Sequence, residues 1–218
     1  SGHDSGVESM HAYQFGLRGY PVNGPKQPVV RVSWTHAMDF CRWLTETTGE
    51  TFSLPTEAQW EYACRAGTTT PFFFGGMEAD FSTHANLGDA RLREFARNTY
   101  IQVNLLDNPN PYDDWVPRDT HYDDQSFLPS DIGHYQPNPW GLFDMHGNAA
   151  EWTRSAYLPY PYNEADGRND SSGAAPRVVR GGSWYDRPYR ATASFRLGYP
   201  PWQRVFNVGF RVICAVVE

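Results

Sequence analysis

A chain of 218 residues is long enough to bury one sizeable core, and nothing in it repeats at the period of a solenoid or propeller. Its formal net charge is -7, and Lys26 is the lone lysine among 18 basic residues, which excludes the basic stripe of a nucleic-acid binder. No stretch reaches the roughly 18 apolar residues of a membrane span, and the start, SGHDSGVESM, lacks a signal peptide's apolar run. That start fits both an exported chain relieved of its leader and a cytosolic one.

Aromatic residues make up 16% of the chain, and 19 Gly and 17 Pro are spread along it, a composition that favours a loop-rich fold pinned by rings over long regular helices. In such a fold arginine bonds loop carbonyls and carboxylates in a planar, bidentate way, so most arginines are expected to be structural. Cys41, Cys64 and Cys214 have no metal-type spacing, and three cannot form a closed disulfide set.

Residues 1–28 carry Gly and Pro without a sustained period and read as an irregular arm lying on a single domain of residues 29–218. VVRVSWTHAMDFCRWLTETTGE then runs from a short apolar stretch into a helix capped by Ser33 or Thr35, with Ala37, Phe40, Cys41 and Leu44 on one face and Gly49 at its end. SLPTEAQWEYACRAG repeats the logic, with Thr56 as N-cap, Gln59 at the capping-box position, Trp60, Ala63 and Cys64 along the buried stripe, and Gly67 as the stop. Residues 68–140 lose helical period and fill with Asp, Asn, Pro and rings, which predicts a long ordered excursion held by something other than regular structure, with bound calcium as the natural candidate. EWTRSAY, RVVRGGSW and NVGFRVICAVV read as strands, the last alternating Val208, Phe210, Val212 and Cys214 with Gly209, Arg211 and Ile213.

Four separated blocks, PVVRVSWTHAMDFCRWL, SLPTEAQWEYACRAG, NPWGLFDMHGNAAEWT and RVVRGGSWYDRPYRATASFR followed by NVGFRV, together resemble the formylglycine-generating-enzyme, or sulfatase-modifying-factor, superfamily. The resemblance runs in order over about residues 28 to 214. It implies an α+β fold, a variant of the C-type-lectin fold with low regular secondary structure, long ordered loops and stabilising calcium. That superfamily also includes sulfoxide synthases, pyoverdine-maturation proteins and retroelement-diversified ligand binders. Its usual Gly-rich opening strands have no counterpart here, so the chain is expected to be a fragment, a processed product, or one partner of a split domain completed by another segment or subunit. Relatives are often exported, which leans the location towards outside the cytoplasm.

The resemblance assigns one calcium site to Gly147, Asn148, Ala149 and Glu151, and a second to Asn86, Leu87, Asp124 and Phe127. Carboxylate, amide and carbonyl oxygens suit calcium, which takes six to eight hard ligands in irregular geometry. The alternative is that Asn148 caps a turn while Glu151 pairs with an arginine. Adjacent acids such as Asp113 and Asp114, or Asp123 and Asp124, fit hydration or calcium better than acid–base catalysis.

In the copper-dependent members, two cysteines follow the GGS of the fourth block and bind copper(I). Between Ser183 and Arg204 this chain has none; Asp186, Tyr189 and Ala191 stand about where the pair is expected. Soft copper(I) selects sulfur, so copper–cysteine oxidation is not expected. Trp184, Tyr185, Asp186, Arg187, Tyr189, Arg190, Tyr199 and Trp202, with Arg204, form an aromatic and cationic set suited to binding a protein, peptide or small molecule. Packing between loops competes for the same rings, Trp184 above all, whereas Tyr199 and Trp202, beside Pro200 and Pro201, are the candidates for exposure. The leading expectation is a calcium-stabilised binding or maturation module. The alternative is an oxidoreductase using non-haem iron or another redox metal, which needs at least two of His84, His121, His134 and His146, or Asp186, to converge.

Overall fold

The computed structural model describes residue 22, residues 24–92, 119–126 and 128–215. Ser33 opens the first helix because its backbone is extended and its hydroxyl accepts the His36 amide, which settles the choice between the two candidate caps. Helix α1 runs Trp34–Thr48 and stops at Gly49, whose left-handed backbone (φ 81°) lets its amide donate to Thr45 O. Ala37 and Cys41 are buried, with Phe40 and Leu44 half-buried beside them, the predicted face. Helix α2, Glu57–Arg65, begins in the predicted box: the Thr56 hydroxyl accepts the Gln59 amide while Gln59 Oε1 accepts the Thr56 amide. Its stop differs by one position. Ala66 takes the left-handed conformation at φ 44°, and Gly67 follows at φ 90°.

Six short strands and three 3-10 turns accompany the helices among the described residues; the strands are β1 (Phe52–Ser53), β2 (Ala150–Ala156), β3 (Arg177–Arg180), β4 (Leu197–Tyr199), β5 (Val208–Phe210) and β6 (Ile213–Cys214). A four-stranded sheet has the order β4-β3-β2-β5, antiparallel except for the parallel pair β2 and β5, and β1 pairs with β6 in a separate ribbon. The predicted single strand at 207–217 is therefore two. Val208 pairs with Ala150 and Phe210 with Trp152, then the chain leaves that sheet and Ile213 joins Ser53. Cys214, expected on the buried side of the alternation, is exposed. Val216 and Val217 lie outside the described residues.

β2 is central, so nearly all of it is buried. Two indoles lock α1 to it: Trp152 Nε1 donates to Val32 O and Trp34 Nε1 to Thr153 O, each at 2.9 Å. The core around them adds Ala37, Cys41, Leu54, Val179 and Val208. Buried arginines then tie loops to the sheet. Arg177 lies 4.2 Å over the Trp34 ring and donates to the carbonyls of Arg154, Asp170 and Ser172. Arg180 bridges Glu57 and Glu61 of α2, and Arg196 forks onto Glu57 while lying between the Tyr157 and Tyr160 rings.

Of the arm, residue 22 and residues 24–28 are described: Val22 is fully buried, and Gln27 Nε2 donates to Pro129 O at 2.7 Å. The described parts of the excursion have only a short 3-10 turn at Ala90–Leu92 and isolated bridges, and a small apolar cluster of Phe72, Phe81, Ala85, Leu87 and Ala191 anchors them. Residues 93–118, with Asp113 and Asp114, lie outside the description. Among the described residues, no helix is long and apolar enough to cross a membrane.

Candidate functional site

Three loops interlock through main-chain hydrogen bonds at one end of β2. The Asn148 amide donates to Asn86 O, the Gly147 amide to Gly181 O, the Trp184 amide to Asn148 O and the Gly88 amide to Asp186 O, at 2.8 to 3.1 Å. Gly147 makes this possible: its φ is 80°, and a Cβ there would overlap the Asn86 carbonyl. The segments around 86, 148 and 184 thus form one structural unit.

Within it, the residues of the two expected calcium sites behave differently. Both Glu151 oxygens are taken, Oε2 by Arg211 Nε (2.6 Å) and Trp60 Nε1 (2.7 Å), Oε1 by Arg211 Nη2 (2.7 Å). Asn148 Oδ1 accepts the Ser130 amide (2.9 Å), and Ala149 is buried beside it. Glu151 is thus paired with Arg211, the alternative expected for that residue. In the second set, Asn86 is fully buried, and its Oδ1 has no hydrogen-bond partner. Asp124, buried nearby, accepts the Leu87 amide at Oδ2 (2.7 Å) and the Ser126 amide at Oδ1 (2.8 Å), and its own amide donates to Asp89 Oδ2. Burial, then the charge of Asp89, pushes the Asp124 carboxyl up to about 8, and burial lifts Asp89 to about 6. An orphaned amide oxygen on the residue before Leu87, whose amide bonds Asp124, together with two linked carboxylates that burial makes reluctant to ionise, is what a hard cation relieves. Phe127 lies outside the described residues.

The fourth block splits into a buried network and an exposed rim. Ser183 Oγ donates to Asp186 Oδ2 (2.7 Å) and accepts from Asn207 Nδ2 (2.7 Å), and Asn207 Nδ2 also reaches Asp186 Oδ2 (3.2 Å). Arg190 Nη1 approaches Asp186 Oδ1 at 3.4 Å from the surface. Burial raises the Asp186 carboxyl, against the Ser183 hydrogen bond that lowers it. Trp184 is a core residue at 1% exposed. Tyr199, expected at the surface, packs half-buried against the Trp152 ring, because β4 carries it into the sheet. Tyr185 is half-buried and edges onto Phe206, while Arg187 and Arg190 are exposed. Tyr189 at 64% and Trp202 at 73% are the exposed rings.

The histidines do not gather. His146 is buried, with Nδ1 donating to Ala191 O (2.7 Å) and Nε2 accepting the Phe73 amide, an assignment that keeps the ring neutral; burial drops it to about 4. His84 stacks on Phe74, His121 pairs with Asp119, and His134 stands exposed at the edge of the Tyr135 ring. Among the described residues, no group of three or more His, Cys, Asp or Glu side chains is placed to hold a metal ion. Sequence reasoning missed Asp89, Asn207 and Ser183. Asp89 was visible in HANLGD, three residues after Asn86; Asn207 had no signal, since it meets Asp186 only through the sheet.

Residues 14–216 match the family of the sulfatase-modifying factor enzyme 1-like domain. A formylglycine-generating enzyme of Streptomyces coelicolor is 29% identical over 90% of this chain, and an inactive C-alpha-formylglycine-generating enzyme 2 of Mus musculus is 30% identical over 84%. The chain spans only 55% and 48% of those two proteins. Its fold is similar to that of PvdO from Pseudomonas aeruginosa, with a TM-score of 0.64 and 27% identity, covering 92% of this chain and 66% of that one. A Treponema denticola variable protein shares the fold at 22% identity and a TM-score of 0.62, over 87% of this chain and 71% of that one. With the match extending over nearly its whole length, the chain belongs to the sulfatase-modifying factor enzyme 1-like family.

Proposed function

We propose that this chain is a calcium-stabilised binding or maturation module of its family, working without copper–cysteine oxidase chemistry. The observation that carries the reading is the content of the fourth block. No cysteine stands between Ser183 and Arg204, and Asp186 is held there by Ser183 and Asn207. Oxygen and nitrogen ligands do not replace thiolates for copper(I). Cys41 and Cys64 are buried elsewhere in the core, and burial raises their thiols to about 11 and about 12, away from the thiolate a soft metal needs. Resemblance to a mouse protein named as inactive accords with this reading.

Calcium is assigned to the Asn86, Leu87, Asp89 and Asp124 cluster, where it joins the excursion to the Gly147 turn. The binding surface is assigned to the exposed side chains Arg187, Tyr189, Arg190 and Trp202, whose rings give contact area at low entropic cost. Metal analysis of protein purified without chelators tests the reading, together with oxygen uptake on a cysteine-containing peptide. Calcium without copper or iron, and no uptake, is the expected result. Stoichiometric copper or iron, or peptide-dependent uptake, overturns it.

A further inference from the structure

A cleft of about 470 Å³ lies against β1 and β6, lined by Thr51, Ser53, Gln59, Arg154, Ile213 and Cys214 among others. It shares no residue with the network around Asp186. Its volume falls within the roughly 300–1,000 Å³ typical of small-molecule sites.

Arg154 reaches this cleft from β2 and is less bonded than its neighbours: Arg177 on β3 donates to the carbonyls of Arg154, Asp170 and Ser172. Arg180 and Arg211 each hold a carboxylate. Arg154 forms no ion pair among the described residues, and the bond from its Nη1 to Ser53 Oγ at 3.3 Å is its one side-chain hydrogen bond there. A guanidinium has five donors in a planar fork that matches a carboxylate two at a time, so a half-buried guanidinium whose Nη2 bonds nothing among the described residues marks, beside a cleft, a place for an acceptor from outside the chain. Ser53, accepting from Arg154, keeps its own proton to donate, and Gln59, whose Oε1 is held by the Thr56 amide, keeps its Nε2 donors. The rest of the lining is less polar. Ile213 and Ala215 supply apolar surface, and Cys214 Sγ donates to Glu50 Oε2 at 3.3 Å. The Glu50 charge beside Cys214 disfavours a second negative group there and leaves Arg154 as the anion-accepting end.

We propose that this cleft binds a small aliphatic carboxylate, its carboxyl group paired with the Arg154 guanidinium and the Ser53 hydroxyl and its hydrocarbon part lying along Ile213 and Ala215. The ligand is held without covalent chemistry, and the site is independent of the binding surface proposed above.

Cys214 provides the readout, because Cys41 and Cys64 are buried. Its alkylation by neutral iodoacetamide is followed by mass spectrometry as hexanoate is added, with hexanamide as the uncharged counterpart. Hexanoate slows alkylation saturably in the native chain, and hexanamide at the same concentrations does not. Arg154→Gln raises the half-protecting hexanoate concentration by about tenfold or more, the factor that loss of a charge-assisted bond gives. Arg154→Lys, which keeps the charge but not the fork, shifts it less. Circular dichroism checks that each variant is folded. If Arg154→Gln does not fold, Arg154→Lys and Ser53→Ala carry the test, each raising the half-protecting concentration severalfold. Absence of saturable protection by hexanoate, equal protection by hexanamide, or unchanged protection in the folded Arg154 variants overturns the assignment.

Discussion

Replacing Gly147 by alanine tests the interlocking of the three loops directly. The native φ of 80° costs a non-glycine residue about 1–2 kcal/mol. The new methyl would also overlap the Asn86 carbonyl and lie 2.9 Å from Leu87 Cδ2, and overpacking of this kind adds about 1–3 kcal/mol. The expected loss is therefore about 2–5 kcal/mol, a large share of the roughly 5–15 kcal/mol that holds a domain. Gly49→Ala is the control: its φ is 81°, but a Cβ there meets nothing within 4 Å, so only the conformational cost of about 1–2 kcal/mol applies. Urea unfolding of both variants, read as the midpoint shift at constant slope, separates close approach from backbone preference. Equal destabilisation by the two substitutions would falsify the tight contact between Gly147 and Asn86.

The buried carboxylates give a pH signature. With Asp124 up to about 8 and Asp89 to about 6, the calcium-free folded chain holds protons that the unfolded chain has already lost, so its stability falls as pH rises from about 4 towards 8. On the proposed calcium site the cation takes the place of those protons, so adding calcium should raise Tm more at pH 8 than at pH 5, and Asp124→Asn should remove most of that difference. A calcium effect identical at both pH values would count against the cluster as the site. Glu57→Gln tests the ionic core: Glu57 and Arg180 are both nearly inaccessible, and removing the shared carboxylate leaves Arg180 and Arg196 short of a partner, at a cost of about 3–5 kcal/mol by urea unfolding. A loss below about 1 kcal/mol would mean that water reaches the pair.

Local chemistry is what the sequence made legible. Ser33, Thr56 and Gln59 act within three residues of themselves, and both helix starts follow from them. The stop at Ala66 escaped because propensity favours the neighbouring glycine. The unbroken alternation from Val208 to Cys214 conceals a change of sheet, since period-2 patterning records burial and carries no information about the pairing partner. β4 was too short, and its Gly198 too weak a strand former, to be seen. Family resemblance singled out Asn86, Asn148 and Asp124, but the hydrogen bond from the Asn148 amide to Asn86 O that makes the first two neighbours depends on the folded loops and left no trace in the sequence. The Glu151–Arg211 pair was anticipated only as an alternative because it depends on β5 running parallel to β2, a non-local fact.

The divergence of β5 and β6 also bears on how the chain is made. Only Arg211 and Val212 separate these strands, yet one closes an edge of β2 and the other supplies the partner of β1, both synthesised far earlier. Until that stretch leaves the ribosome, β2 presents bare main chain beside Trp152, and β1 has no strand to pair with among those described. Such edges recruit other chains, and long-range closure is slow. Synthesis of this protein therefore passes through a sticky stage between the emergence of β2 and that of β5, in which a pause just upstream of Val208 leaves that edge open longest, and its yield in cells should depend on chaperone supply more than its finished stability suggests.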